Sequence, residues 1–134
     1  MAILMMALMV ILGGALGAPA RMFLDKRITT ALSGKSISLR STDFPFGTYF
    51  INISGSFLLG FLTGISLKGH MPSLLLAFLG LGFCGAYTTF STWSFESLIL
   101  FEKRLYKTAL LNIFLSLVMG LLLAGIGIAL GELL

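Results

Sequence analysis

Four stretches of the chain, residues 1–20, 44–67, 71–95 and 108–131, contain no Asp, Glu, Lys or Arg. Each reaches the ~20 residues that an α-helix needs to cross the hydrocarbon of a bilayer. In that medium a backbone must satisfy its own hydrogen bonds, so the pattern predicts an all-α integral membrane protein with four transmembrane helices. The spans take up most of the 134 residues and leave room for one domain, residues 1–134. With 57% hydrophobic and 10% charged residues, the composition suits lipid contact and is a poor match for a water-facing surface.

The formal net charge of +4 comes from nine basic residues set beside the spans, where cationic side chains meet lipid headgroups. No basic stripe interleaved with aromatics is present, which argues against nucleic acid as a partner. A single cysteine, Cys84, excludes an internal disulfide, and with the single histidine, His70, it offers no metal-ligand spacing. Cys84 reads as a small packing residue and His70 as an interfacial loop residue. Ala18-Pro19-Ala20 looks like a signal-peptidase site, but no Lys or Arg precedes the apolar run, so the first span is expected to be retained.

The order is helix, polar connection, helix, short turn, helix, basic turn, helix. Residues 21–27 are expected to extend the first helix into the interface, and Ser33-Gly34-Lys35-Ser36 to break it. Pro72 suits the first position of the third helix. Gly13 and Gly17, and Gly60 and Gly64, have the spacing that lets helices approach closely in lipid. In the third span, Gly80, Gly82 and Gly85 precede Thr88-Thr89-Phe90-Ser91-Thr92, a hydroxyl run at membrane depth. Irregular backbone there is tolerated only when it is buried in protein or lines a cavity, so this helix is expected to be broken at mid-span for a functional reason.

Two further patterns point to a pore. Thr48, Asn52 and Ser56 stand four residues apart and form one polar stripe on the second helix, and Asn112, Ser116 and Gly120 do the same on the fourth. Either stripe alone is equally compatible with interhelical hydrogen bonding; both together, beside a hydroxyl-rich break, favour a lining. Cation pores commonly use acidic rings, and no acid lies within the four spans, Glu96 standing just after the third. Amide and hydroxyl groups can donate to a small anion, as can the positive edges of aromatic rings such as Phe90 and Trp93, which share a helix face at i, i+3.

The run from Gly82 to Glu96, Gly-Phe-Cys-Gly-Ala-Tyr-Thr-Thr-Phe-Ser-Thr-Trp-Ser-Phe-Glu, closely resembles the signature of the Fluc/CrcB fluoride channels. Gly13-Gly14-Ala15-Leu16-Gly17-Ala18-Pro19-Ala20-Arg21 resembles the first-helix motif of that family. Gly47-Thr48-Tyr49-Phe50-Ile51-Asn52, with Gly55-Ser56-Phe57, resembles its second-helix motif. The likeness touches all four spans. It implies an antiparallel, dual-topology dimer in the cell membrane, with two fluoride pores and a central structural sodium ion, giving passive fluoride export and resistance. Position by position it assigns the fluoride-contacting aromatics to Phe90 and Trp93, the pore asparagine to Asn52, the vestibule threonine to Thr48 and the vestibule arginine to Arg21. The polar track falls on Asn112 and Ser116, joined by Ser91 and Thr92, and sodium on the carbonyls of Gly85 and Thr88. Trp93 stands where the family usually has phenylalanine, and Asn112 where it often has tyrosine. Glu96 lies within the matched motif at a position that can face the pore end, without an assigned role.

A small proton-coupled multidrug exporter, also built as a four-helix antiparallel dimer, would carry a glutamate in the first helix, and residues 1–20 have none. A non-transporting assembly subunit would explain the packing glycines and leave the polar break unexplained. No nucleophile, base and orienting group can be assembled, so no enzyme is expected. Basic residues are unevenly placed: Arg21, Lys26, Arg27, Lys35, Arg40, Lys103, Arg104 and Lys107 lie in connections one and three, against Lys68 on the opposite side. Such a bias favours one orientation. It leaves open a homodimer whose charges, Arg21 above all, belong partly to the pore, and a heterodimer with an oppositely oriented homologue.

Overall fold

The computed structural model describes residues 1–33 and 44–134. Gly34, Lys35, Ser36 and Arg40, to which the sequence assigned a helix break and two interfacial charges, lie outside the described residues. Among those described there are helices and no strands: α1 (Ala2–Ser33), α2 (Phe46–Leu67), α3 (Ser73–Leu76) running into a π-helix (Ala77–Cys84), α4 (Gly85–Tyr87), α5 (Phe90–Glu102) and α6 (Tyr106–Gly131). Four helical units are long and apolar enough to cross a membrane, the stretch from Ser73 to Glu102 counting as one. The protein is therefore a multi-pass membrane protein.

The first helix continues through Arg21–Arg27 as expected, with Pro19 inside it. At 32 residues it is about 48 Å long, well beyond the ~30 Å of hydrocarbon. Two turns close by paired bonds of the Schellman type. After α2, Gly69 sits at φ 75° while its N–H reaches Ser66 O and that of His70 reaches Ile65 O. After α5, Arg104 takes φ 60°, unusual for a residue with a side chain, and the N–H of Leu105 returns to Leu100 O. Pro72 stands one position earlier than expected, as the N-cap of α3, where its carbonyl accepts from Leu75 and Leu76.

Two backbone-to-backbone seams hold the helices together, and both consist of glycine. A side-chain carbon at Gly13 or Gly17 would overlap the carbonyl oxygens of Phe78 or Phe83, so α1 lies directly on the π-helix. A carbon at Gly60 or Gly64 would overlap the carbonyls of Ala124 or Ile128, and one at Gly127 or Gly131 those of Phe57 or Phe61. The register, 60 against 124 and 64 against 128, makes α2 and α6 run in the same direction. Lipid tails are as apolar as leucine, so such contact relies on close packing rather than on exclusion of water. Large apolar side chains point outward along α1 and α6, among them Leu8, Ile11, Leu16, Phe114, Val118 and Leu122, as lipid contact requires.

Gly127 and Gly125, two residues apart on α6, separate packing from helix propensity. A carbon at Gly127 would overlap the carbonyl oxygen of Phe57, while nothing lies within 4 Å of one at Gly125. Gly127→Ala is expected to cost ~1–3 kcal/mol through overpacking, and Gly125→Ala to leave stability unchanged or raised. Thermal unfolding of the purified variants in detergent checks this; equal midpoints would mean the α2–α6 seam is not tight.

Candidate functional site

The site forms where the third span stops being a helix. Thr88 (φ −76°, ψ 159°) and Thr89 (φ −147°, ψ 123°) are extended between α4 and α5. Such a segment strands backbone donors and acceptors, each costing ~1–3 kcal/mol if left unpaired away from water. Asn52 of α2 meets this need with both ends of its amide: its Oδ1 accepts the N–H of Thr89 at 2.8 Å, and its Nδ2 donates to the Thr89 carbonyl at 2.9 Å. Thr89 then caps α5, its Oγ1 accepting from Thr92 N at 3.2 Å. The same hydroxyl bonds Thr92 Oγ1 at 3.0 Å and lies 3.3 Å from Ser91 Oγ. On the other side, the Thr88 hydroxyl donates to the Cys84 carbonyl at 2.9 Å.

These bonds divert two helical donors. In an uninterrupted helix Thr89 N–H would serve the Gly85 carbonyl and Thr92 N–H that of Thr88. Here the first goes to Asn52 and the second to the Thr89 hydroxyl. The carbonyls of Gly85 and Thr88 are thereby deprived of their usual partners, and the space beside the Gly85 Cα is open.

Beside the interruption lies an open groove of about 580 Å³, lined by Asn52, Gly55, Ser56 and Leu59 of α2, by Thr88, Thr89, Phe90 and Trp93, and by Ser116, Leu117, Gly120, Leu121 and Ala124 of α6. Asn52 and Ser56 from one polar stripe read from the sequence, and Ser116 and Gly120 from the other, converge on it. None of these residues carries a charge. Phe90 is 76% exposed, and its ring centroid lies 5.2 Å from that of Trp93 at an interplanar angle of 49°.

Of the residues singled out from the sequence, Asn52, Thr88, Phe90, Trp93 and Ser116 share the groove wall. Ser91 and Thr92 are exposed on the first turn of α5, outside the lining. Thr48 is buried about 6 Å along α2 from Asn52 and donates to Glu96 Oε1 at 2.9 Å. The second carboxylate oxygen, Oε2, is buried without a hydrogen-bond partner among the described residues. Arg21 is half-buried on α1 and does not line the groove.

Asn112 is completely buried behind the wall rather than part of it. The Trp93 indole N–H is given to the backbone carbonyl of Asn112 at 3.3 Å rather than to the groove. Sequence reasoning did not single out Ser97, which bonds both residues. Its position four residues after Trp93, on the same face of α5, was the available signal. Thr89 likewise appeared in the sequence only as part of a hydroxyl run, although its place three residues before Thr92 is a capping arrangement.

The model of the CrcB-like protein, Camphor Resistance (CrcB) family matches residues 8–128. A Leifsonia xyli protein named fluoride-specific ion channel FluC 1 is 41% identical over 96% of this chain and 88% of its own. Bacillus subtilis fluoride-specific ion channel FluC 2 is 40% identical over 92% of this chain and 85% of its own. Listeria innocua fluoride-specific ion channel FluC 1 is 50% identical over 73% and 82%. With a family match across nearly the whole length, and relatives that are channels rather than enzymes, the chain belongs to the CrcB-like family.

Proposed function

We propose that this chain is one subunit of a fluoride channel that lets fluoride leave the cell passively and so confers fluoride resistance. The observation that carries the reading is the uncharged groove: amide, hydroxyl and aromatic groups face it, and no fixed cation is present to hold an anion too tightly for release. The names of the relatives supply the ion. Ser56 and Ser116 offer hydroxyl groups, Asn52 retains one amide N–H beyond the bond to Thr89, and Phe90 presents a ring edge. Together they can replace part of the water shell of a small anion. The 3.4 Å bond from Ser116 to Asn112 is long enough to be exchanged readily for an ion.

A groove open along one side cannot conduct through hydrocarbon, and the exposed Phe90 ring projects from it. Both features favour closure by a second subunit, in an antiparallel, dual-topology homodimer in the plasma membrane, with two pores and with each third span broken at mid-membrane. Pairing with an oppositely oriented homologue is the other assembly that the uneven basic residues allow. The freed carbonyls of Gly85 and Thr88 fit a monovalent cation such as sodium, since half-helix C-terminal ends coordinate cations. Bound there, sodium would neutralise carbonyl dipoles that the interruption leaves without donors. Thr48 with Glu96, Arg21, and the Ser91 and Thr92 hydroxyls belong in this reading to the approaches of the pore, and Asn112 supports its wall.

Liposomes holding the purified chain alone are expected to release fluoride rapidly, chloride far more slowly, and both without a proton gradient. Equal chloride flux, a strict proton requirement, or activity only with a second homologue present would each contradict part of this reading. Phe90→Ile should reduce fluoride efflux at least ~100-fold in a protein that still elutes as the assembled species, because donors to a desolvated anion are worth several kcal/mol together. Trp93→Phe should be milder. Normal conduction by Phe90→Ile would make that ring a packing element. Exchanging sodium for a large organic cation, with prolonged dialysis to displace a trapped ion, is expected to slow efflux several-fold; complete indifference would count against Gly85 and Thr88 as ligands.

A further inference from the structure

Behind the groove wall, three residues form a closed hydrogen-bonded circuit. Trp93 Nε1 donates to the backbone carbonyl of Asn112 at 3.3 Å, Asn112 Nδ2 donates to Ser97 Oγ at 2.9 Å, and Ser97 Oγ donates to the backbone carbonyl of Trp93 at 2.8 Å. A fourth bond joins Asn112 Oδ1 to Ser116, itself part of the wall. We propose that Asn112 is a positioning residue for Trp93: with Ser97 it fixes the indole as a groove wall and reaches a permeating ion only through that ring. The proposal rests on the reading of the groove as an anion pathway.

Three observations carry it. Asn112 is 0% exposed and absent from the groove lining, so it has no free surface with which to meet an ion. Its amide is engaged at both ends, by Ser97 and by Ser116. Helix α5, which carries Trp93, begins directly after the extended residues and leaves Phe90, Phe95 and Leu98 largely exposed. Apolar packing within the chain therefore holds this helix weakly, and the circuit ties it to α6. Trp93 and Ser97, four residues apart on one face of α5, grip one residue of α6 at two points and so fix the rotation of α5 as well as its distance. The short Asn112 side chain also lets the indole N–H come within bonding range of the α6 backbone.

Trp93 is the single tryptophan in the chain, so its fluorescence reports this ring whether or not the protein conducts. Asn112→Leu, which keeps volume and the backbone carbonyl but removes the side-chain tie to Ser97, and Ser97→Ala, which removes the shared hydroxyl, are to be made alone and combined with Trp93→Phe. In detergent, Asn112→Leu should raise acrylamide quenching of Trp93 about twofold, and in liposomes it should lower fluoride efflux about tenfold, the size of coupling found between hydrogen-bonded neighbours. In the Trp93→Phe background, where the circuit is already opened at the indole, the same substitution should change efflux less than about twofold. Ser97→Ala should move both readouts the same way by a smaller factor, and decides the matter if Asn112→Leu does not fold. Equal efflux loss in both backgrounds, or unchanged quenching of Trp93, would overturn the proposal. If the parent protein carried no fluoride, the channel reading would fall while quenching still judged the positioning.

Discussion

The pair of hydrogen bonds between Asn52 and Thr89 is the interaction on which the rest of the molecule depends. A helix interrupted in an apolar medium has no water to satisfy the groups it frees, and the cost of leaving them unpaired is comparable to a large part of a domain's net stability. One amide from the neighbouring helix meets the N–H and the carbonyl of the same residue, and Thr89 in turn supplies the first cap of α5. Those bonds also decide which backbone groups stay free: the carbonyls of Gly85 and Thr88 lose their donors because Asn52 and the Thr89 hydroxyl take them. The pairing of the interruption and the release of two carbonyls come from one local exchange of partners.

That exchange needs α2 held at a fixed distance from the third span, and the glycine seams provide a rigid frame for it. Gly60, Gly64, Gly127 and Gly131 bring α2 and α6 into backbone contact, while Gly13, Gly17 and Gly82 do so for α1 and the π-helix. The two seams leave α5 less tightly packed than the other long helices. Its placement relies on polar ties, from Thr48 to Glu96 and from Asn112 to Trp93 and Ser97. Hydrogen bonds are directional, so they can set the rotation of a lightly packed helix where dispersion forces alone would tolerate several.

The groove that results is chemically mild, and for a channel this is an advantage. Fixed charges strong enough to strip water from an anion would also retain it. Neutral donors and ring edges bind more weakly, and Ser56 and Asn52, which keep spare donor capacity, line the same groove as the aromatic pair. Family membership and the names of the relatives agree with this chemistry without depending on it.

Much was determined by the sequence alone. Four uncharged stretches defined the spans, because burying even one charged side chain in hydrocarbon is costly and therefore leaves a visible gap in the charge pattern. Gly13, Gly17, Gly60 and Gly64 were recognisable as contact points from their spacing, and Thr48, Asn52 and Ser56 as one polar face, since helical periodicity turns linear spacing into geometry. The motif from Gly82 to Glu96 marked the region of the site. Only the tertiary structure decided what each polar group bonds. Asn52 proved to be occupied with Thr89, the Trp93 N–H with Asn112, and Asn112 itself withdrew behind the wall. The wider turns of the π-helix were likewise invisible in sequence. The physical reason is the same in each case: periodicity gives the face of a helix, but the partner of a donor depends on the distance and rotation of a second helix, which are set by packing across the whole bundle.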